Sequence, residues 1–235
     1  SYAYWQAQVA GAVSFQRVVP MAENAASDLL PKLGKGRYFY DVAADWDDLP
    51  HDAAKLSPKV AGEIAVRALK AVPQNWSGPL AVITAPIDKH RCDQAGFGFP
   101  GQTEFFEHLW QGDGLMFLAG PQIKVGLATN HLPLRQVADH LSTDGIATKL
   151  KILAKAMADL YGIRQPRLGV CGLNPHAGDQ GLFGREDQAI VAPAVSRVNA
   201  ELGLSVAGPL PSDTLFYHAY QGKYDAVLAL YHDQG

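Results

Sequence analysis

Three histidines follow apolar runs of the sequence at equivalent places. His131 comes after residues 125–129, His176 after residues 168–173 and His232 after residues 226–230. Each lies in a loop with Pro or Gly, which fix a loop or let other groups approach closely. Neutral imidazole is a good ligand for divalent metals, and three histidines with open coordination positions form a catalytic arrangement. The pattern therefore favours a catalytic metal site.

A structural role competes with this hypothesis. A single histidine after a strand more often makes a hydrogen bond within its loop than binds a ligand. Ligands in open α/β sheets bind beyond the carboxyl ends of strands. Because all three histidines occupy such ends, a functional role for them weighs as much as a structural one. For the other five histidines, which lack this placement, we expect surface or helix-face roles: His51, His90, His108, His140 and His218.

Other polar residues stand at strand ends or helix starts. Lys89 follows an apolar run in a loop, and Gln102 and Thr103 open a predicted helix, whose N-terminus suits an anion. Asp213 lies in a Pro-rich loop and is either an acid/base group or a turn residue. The alternatives are that Lys89 is an ordinary surface lysine and that Gln102 or Thr103 simply caps the helix. Neither Gly-rich nucleotide motif is present in the sequence.

The elements that must position these residues are short apolar runs alternating with helical patterns, which indicates an α/β fold with a largely parallel or mixed sheet. Two of the strands, at residues 114–120 and 125–129, are close enough to form a hairpin. The other predicted strands are residues 38–42, 80–84, 168–173 and 226–230, and the predicted helices are residues 61–72, 146–160 and 190–202. The last two helices end at Gly162 and Gly203.

The bulk composition excludes several classes of protein. Of 235 residues, 48% are hydrophobic and 18% are charged, which is typical of a globular chain rather than a disordered one. The net charge of -3 and the absence of basic runs give no reason to expect nucleic acid or membrane partners. Two cysteines cannot form a disulfide framework, so we expect a cytoplasmic protein.

Six motifs in one order resemble the 4-hydroxythreonine-4-phosphate dehydrogenase family of pyridoxal 5'-phosphate biosynthesis, over residues 57–235. They are Ala81-Val-Ile-Thr-Ala-Pro-Ile-Asp-Lys, Gly101-Gln-Thr-Glu-Phe-Phe, Thr129-Asn-His-Leu-Pro-Leu, Cys171-Gly-Leu-Asn-Pro-His-Ala-Gly, Gly208-Pro-Leu-Pro-Ser-Asp-Thr-Leu-Phe and Tyr231-His-Asp-Gln-Gly. The resemblance implies a fold similar to isocitrate and isopropylmalate dehydrogenases, with two α/β domains and an active site in the interdomain cleft. The whole chain, residues 1–235, would be an incomplete two-domain enzyme, with a central domain over about residues 85–205 and the remainder in the second domain.

The resemblance also implies a reaction and its residues. NAD oxidises the alcohol of 4-phosphooxy-L-threonine, a phosphorylated hydroxy amino acid, and decarboxylation gives 3-amino-2-oxopropyl phosphate. The divalent metal (zinc, cobalt, magnesium or manganese) would be held by His131, His176 and His232. One of these ligands, expected to be His232, comes from the neighbouring subunit of an obligate homodimer. Asp213 matches the acid/base residue, and Gln102, Thr103 and Lys89 match substrate-binding positions.

The sequence departs from the family in ways that leave alternatives open. Gln102 replaces the usual histidine and cannot be a cation or proton shuttle, and Asp88 stands where a neutral or basic residue is expected. Segments of the family before Ser1 and after Gly235 are missing, so we expect a fragment. A sister dehydrogenase, acting on threonate or erythronate 4-phosphate or on a cis-dihydrodiol dicarboxylate, and a non-catalytic remnant are the alternatives.

Overall fold

The structure, a computed structural model, describes residues 56–72 and 81–235, together with the backbone of strands at residues 16–18 and 38–40. The chain divides into two compact units, Ser1–Gln111 and Gly112–Gly235. The α/β class predicted from the sequence is confirmed, because helices accompany a mixed sheet. The extents proposed for the two domains, with one over about residues 85–205, stay a prediction.

In the residues that the structure describes, the first unit has two short strands and three helices. Strands β1 (Gln16–Val18) and β2 (Tyr38–Tyr40) pair in parallel, and the helices are α1 (Pro58–Lys70), α2 (Lys89–Gln94) and α3 (Gln102–Trp110). Helix α1 begins where the Ser57 hydroxyl accepts a hydrogen bond from the Val60 amide, at 3.2 Å. Apolar side chains of the three helices and the α2–α3 loop form one core: Val66, Leu69, Cys92, Phe97 and Phe105.

The strand predicted at residues 80–84 is wrong for the part that the structure describes. Residues 81–84 have no strand structure, and Ile83 is 97% exposed; Leu80 lies outside the described residues. An apolar run predicts burial, but a strand also needs a neighbour that accepts and donates its backbone hydrogen bonds. In the portion of the chain described, no strand pairs with this run.

The second unit is built on a five-stranded sheet in the order β3-β4-β7-β5-β6. The antiparallel pair of β3 and β4 confirms the predicted hairpin, and the other pairs are parallel. Strand β7 is inserted between β4 and β5, so the end of the sequence occupies the middle of the sheet. The bounds are β3 Met116–Ala119, β4 Lys124–Leu127, β5 Leu168–Cys171, β6 Val206–Leu210 and β7 Ala226–Ala229.

Four helices cover this sheet: α4 (Leu134–His140), α5 (Thr143–Tyr161), α6 (Ala192–Leu202) and α7 (Ser212–Tyr220). Helix α5 begins where the Ser142 hydroxyl accepts from the Gly145 amide at 3.1 Å, and it ends at Gly162, with φ 71°, as predicted. A π-helical turn, Asp187–Val191, leads into α6, which ends at Gly203 as predicted.

The sheet is buried on both faces because its side chains alternate between two cores. Leu228 of β7 packs in the core formed with α5 and α6, whereas Val227 packs in the core formed with α7. Strand β5 is divided in the same way, with Val170 in the first core and Cys171 in the second. This burial fixes the register of the central strands and so the positions of the loops that follow them.

The Pro-rich stretch that contains Asp213 was predicted to be a loop, and that prediction is wrong: residues 208–210 lie in β6, and Asp213 lies in α7. Pro209 lacks an N–H group, and proline is tolerated in a sheet chiefly at an edge, where β6 lies. Gly208 has φ 152°, and a Cβ there would lie 2.8 Å from the carbonyl oxygen of Val170 on the neighbouring strand. Glycine therefore permits the close approach of β6 to β5.

None of the helices in residues 56–72 and 81–235 has the length and apolar character needed to cross a membrane.

Candidate functional site

The loops after the four parallel strands carry the predicted metal and acid/base residues. His131 follows β4, His232 follows β7, His176 follows β5 and Asp213 follows β6, in that order across the sheet. Because parallel strands end at the same side of a sheet, all four residues belong to one edge. We call the loops there, residues 129–133, 172–176, 211–213 and 230–235, the carboxyl edge.

His131 and His232 lie together within a single chain. Their ring centroids are 5.7 Å apart, and both rings line one pocket of about 270 Å³. A ligand nitrogen lies about 2.1 Å from a bound zinc ion, so two imidazoles that share an ion have centroids roughly 5 to 6 Å apart. The spacing of this pair fits two ligands of one metal ion.

The ring of His232 is oriented by its neighbour in the sequence. Its Nδ1 atom lies 2.8 Å from an Asp233 carboxylate oxygen. An ionised carboxylate only accepts hydrogen bonds, so Nδ1 donates, and in the neutral ring Nε2 keeps its lone pair. Metal-binding histidines are commonly held in this way by a carboxylate. The tautomer of His232 therefore suits coordination through Nε2.

Asn130 also lines this pocket, and the oxygen of its side chain is buried. The Oδ1 atom of Asn130 is inaccessible to solvent and has no hydrogen-bond partner among the residues that the structure describes. A buried acceptor without a partner costs about 1–3 kcal/mol. The two imidazoles, with Asn130 in the same pocket lining, are ligands suited to zinc, cobalt or manganese. The residues present thus fit the divalent metal that the sequence resemblance implies.

His176 does not join the other two histidines. Within residues 56–72 and 81–235, no three His, Cys, Asp or Glu side chains are close enough together to hold a metal. The ring of His176 is exposed and lies 6.0 Å from that of Phe183. The resemblance implied that His232 serves the neighbouring subunit, whereas the pair assembled within this chain is His131 with His232.

His176 stands at the start of an unusual turn. From His176 to Gln180 the φ angles are 54°, 53°, 83°, 39° and 57°, within the segment Pro175–Gly181. Left-handed backbone costs roughly 1–2 kcal/mol for each residue other than glycine. Such strain persists only where the surrounding structure enforces it, and it is concentrated at functional sites.

Asp187 holds the segment that leads into this turn, and sequence reasoning missed it. Its fully buried carboxylate accepts from the amides of Leu173 (2.7 Å) and Asn174 (3.0 Å) and from the Asn174 side chain (3.1 Å). The Asn174 side chain also donates to Glu186, at 2.8 Å. Backbone amides, and then Asn174, lower the pKa of the Glu186 carboxyl. An acidic residue just before a helical pattern was the available signal.

Asp213 is the second residue of α7, and its side chain is exposed at the carboxyl edge. The Thr214 hydroxyl lies 3.4 Å from its Oδ1 atom. The preceding residue, Ser212, approaches a buried thiol: burial raises the pKa of Cys171 to about 12, and a hydrogen bond with Ser212 acts in the opposite direction. An exposed carboxylate beside a fixed strand end can exchange protons with a bound molecule.

The predicted substrate-binding residues lie in the first unit. Lys89 is the exposed first residue of α2, and Thr103 is the exposed second residue of α3. The amide of Gln102 is already engaged: its Oε1 accepts from the Thr84 hydroxyl, and its Nε2 donates to the Ala85 carbonyl at 3.1 Å. Gln102 therefore ties the loop before α2 to the start of α3.

Comparisons with known proteins agree with the motifs. Residues 12–235 match the family described as pyridoxal phosphate biosynthetic protein PdxA. The 4-hydroxythreonine-4-phosphate dehydrogenase of Pseudomonas putida is 40% identical over 239 residues, covering 92% of this chain and 72% of that protein. The chain belongs to this family of oxidoreductases, and the resemblance drawn from the motifs is confirmed.

Solved structures support the same fold. The structure of a 4-hydroxythreonine-4-phosphate dehydrogenase from Burkholderia phymatum has a TM-score of 0.71 and 30% identity, covering 99% of this chain and 68% of that one. A terephthalate 1,2-cis-dihydrodiol dehydrogenase from Burkholderia xenovorans LB400 (TM-score 0.59, 22% identity, 94% and 81% coverage) shares the fold. Other curated relatives are matched over only 47% of their length.

Proposed function

We propose that this chain carries the metal and acid/base residues of an NAD-dependent 4-hydroxythreonine-4-phosphate dehydrogenase. The reaction would oxidise 4-phosphooxy-L-threonine, with decarboxylation, to 3-amino-2-oxopropyl phosphate in pyridoxal 5'-phosphate biosynthesis. One observation carries the proposal: in a member of this family, four adjacent parallel strands end in His131, His232, His176 and Asp213. Ligand sites in α/β sheets occupy this position.

The histidines would hold the substrate's reacting end through a divalent cation. His232 would bind through Nε2, since Asp233 occupies Nδ1, and His131 would bind beside it. When bound, the cation would polarise the substrate oxygens and NAD would accept the hydride. Asp213 would take the hydroxyl proton and later return a proton to the product. Lys89 and Thr103 would contact the phosphate or carboxylate of the substrate.

A homodimer belongs to this proposal. One chain pairs two of the three histidines, and in its described part no third ligand joins them. Catalytic metal sites generally use three protein ligands and keep an open position. We propose that His176 takes part in a site completed across two subunits.

The ligand assignment can be tested by titrating the chain with cobalt(II) in a calorimeter. We expect His176→Ala to abolish stoichiometric binding. His140→Ala is the matched control, because that exposed histidine lies on α4 and bonds the Gln136 carbonyl at 2.8 Å. Full cobalt binding by His176→Ala would contradict the assignment of His176.

The substrate can be tested with the same protein, cobalt and NAD, by following NADH formation. We expect turnover of 4-phosphooxy-L-threonine to exceed that of erythronate 4-phosphate and of a cis-dihydrodiol dicarboxylate. A second candidate function is that of a sister dehydrogenase. It is favoured by Gln102, which replaces the usual substrate-loop histidine and whose amide is already hydrogen-bonded to Thr84 and Ala85. Equal or faster turnover of erythronate 4-phosphate would replace the first function with the second.

A further inference from the structure

One side-chain amide joins the ends of three parallel strands. The Leu230 amide after β7 donates to Oε1 of Gln234, at 2.7 Å. The Nε2 atom of Gln234 donates to the Gly172 carbonyl after β5 at 2.7 Å, and to the Ser212 hydroxyl after β6 at 2.8 Å. Gln234 thus uses its acceptor and both of its donor hydrogens at the carboxyl edge.

The same set of bonds reaches the fourth strand. The Thr129 hydroxyl, after β4, donates to the Leu230 carbonyl at 2.7 Å, and Thr129 is buried. On the other side, the Gly172 amide donates to the Leu210 carbonyl at 2.7 Å. We call Thr129, Gly172, Ser212, Leu230 and Gln234 the edge network. It connects all four strand ends, and Gln234 is its centre.

The edge network lies next to the proposed reacting residues in the sequence. Gln234 is two residues after His232, Ser212 directly precedes Asp213, and Thr129 is two residues before His131. A displacement of Gln234 therefore shifts the loops that carry these side chains relative to one another. Backbone bonds also continue past the ends of β4 and β7, from the Ala128 amide to the Ala229 carbonyl at 2.8 Å and from the Thr129 amide to the Leu230 carbonyl at 3.2 Å. The loop after β7 is joined to the loops after β5 and β6 through the side chain of Gln234.

We propose that Gln234 is a positioning residue that fixes the loop of His232 relative to the loop of Asp213. The importance of these two loops rests on the proposed function, whereas the coupling between them rests on the hydrogen bonds alone. Methionine has a similar length but makes none of these bonds. Glutamate can accept from Leu230 but cannot donate to Gly172 or Ser212 when ionised.

A matched control is available at the other end of β6. The amide of Asn199 donates to the Val206 carbonyl at 2.9 Å and accepts from the Val206 amide at 2.7 Å. Asn199→Leu therefore removes the same kind of amide–backbone bonds, but at the amino end of the strand. It should lower the free energy of unfolding without moving the carboxyl edge.

The experiment compares wild type, Gln234→Met, Gln234→Glu and Asn199→Leu by two measurements. The first is labelling of Cys171 with an aromatic disulfide, read by peptide mass spectrometry so that Cys92 is counted separately. Cys171 is fully buried, and burial raises the pKa of its thiol to about 12, so labelling requires the edge to open. The second is the dissociation constant for cobalt(II), from calorimetry. Urea unfolding of each variant corrects both measurements for global stability.

For Gln234→Met we expect Cys171 labelling at least tenfold faster than in Asn199→Leu, and cobalt binding about 10- to 100-fold weaker, as for other residues that orient metal ligands. Gln234→Glu should be intermediate. Labelling and cobalt affinity equal to those of Asn199→Leu would overturn the proposal. If the wild type binds no cobalt, the proposed metal site fails, and labelling alone decides: no increase in Gln234→Met overturns the coupling.

Discussion

At the residue scale, Asp187 holds the loop of His176, a proposed metal ligand, through hydrogen bonds. Moving a carboxylate out of water is costly unless strong hydrogen bonds replace its hydration. Three N–H groups from Leu173 and Asn174 do so here. These donors lie 13 or 14 positions away in the sequence, and two are backbone amides. The sequence could therefore predict His176, a chemically distinctive residue in a loop. For Asp187 it offered only a signal for the start of a helix, and not the distant loop that its carboxylate holds.

Asp213→Asn tests the acid/base assignment. The amide keeps the size of the side chain but cannot accept a proton, so we expect turnover to fall by about 100-fold or more. Cobalt and NAD binding should stay unchanged. Steady-state kinetics with 4-phosphooxy-L-threonine, alongside calorimetry, measures both.

The control for this variant is Asp159→Asn, an exposed aspartate on α5 that pairs with Lys155 at 2.5 Å. It should retain wild-type turnover. A wild-type rate in Asp213→Asn would remove Asp213 from the mechanism.

At the scale of elements, the left-handed turn packs closely on the strand before it. A Cβ added to Gly172 would lie 2.7 Å from the Cα atom of Ala177, inside that turn. Since backbone cannot move aside as a flexible side chain can, we expect Gly172→Ala to lower the free energy of unfolding by about 1–3 kcal/mol. Urea denaturation measures the change.

Gly120→Ala is the control for this steric argument. A Cβ at Gly120 meets its nearest atom, the Ile123 carbonyl oxygen, at 3.4 Å, which is ordinary contact. Its effect on stability should be below about 1 kcal/mol. Equal losses in the two variants would mean that the approach to Ala177 is not what requires glycine at residue 172.

The amino ends of the two central strands are tied by an ion pair. Asp225, just before β7, accepts from the Arg167 guanidinium at 2.7 and 3.1 Å and from the Arg167 amide at 2.7 Å, just before β5. The Arg167 side chain lowers the pKa of the Asp225 carboxyl. The stability that this pair contributes is present above the unfolded pKa, about 3.9, and is lost as the pH falls through the folded pKa.

Asp225→Asn should therefore lower the free energy of unfolding by roughly 1–2 kcal/mol near neutral pH. The difference from wild type should shrink below about pH 4. Urea denaturation at several pH values measures it, and cobalt binding should not change. A difference that is constant from neutral pH to below pH 4 would show that the ionised carboxylate contributes nothing.

Local signals predicted some elements well and others poorly. The ends of α5 follow from Ser142 and Gly162, whose roles depend on neighbouring residues in the chain. The run at residues 80–84 and strand β6 were misjudged because both depend on partners: the first has no pairing strand in the described residues, and Pro209 fits only because β6 is an edge. Pairing partners distant in sequence are not encoded in a local pattern.

At the scale of the whole molecule, the site residues separate into two groups. Lys89, Gln102 and Thr103 belong to the first unit, whereas the three histidines and Asp213 belong to the second. The rule that ligands bind beyond parallel strands predicted that the second group would share one edge. It could not predict which two histidines pair, because that depends on the strand order β4-β7-β5.

The boundary between the units gives a test by limited proteolysis. Gln111, Gly112 and Asp113 are exposed where one unit ends and the next begins. We expect a protease that cuts before aspartate to cleave at Asp113 early and to leave residues 113–235 as a resistant fragment, identified by mass spectrometry. A first cut within residues 116–230 would contradict the compactness of the second unit.

The insertion of β7 between β4 and β5 has a consequence for the order of folding. Strands β3 and β4 can pair locally, and β5 can pair with β6, but the two pairs are joined only through β7. Its contacts with β4 span about a hundred residues, and such distant contacts form slowly because a long loop must close first. Two half-sheets should therefore precede the native state, and the carboxyl edge should be the last part of the second unit to take shape.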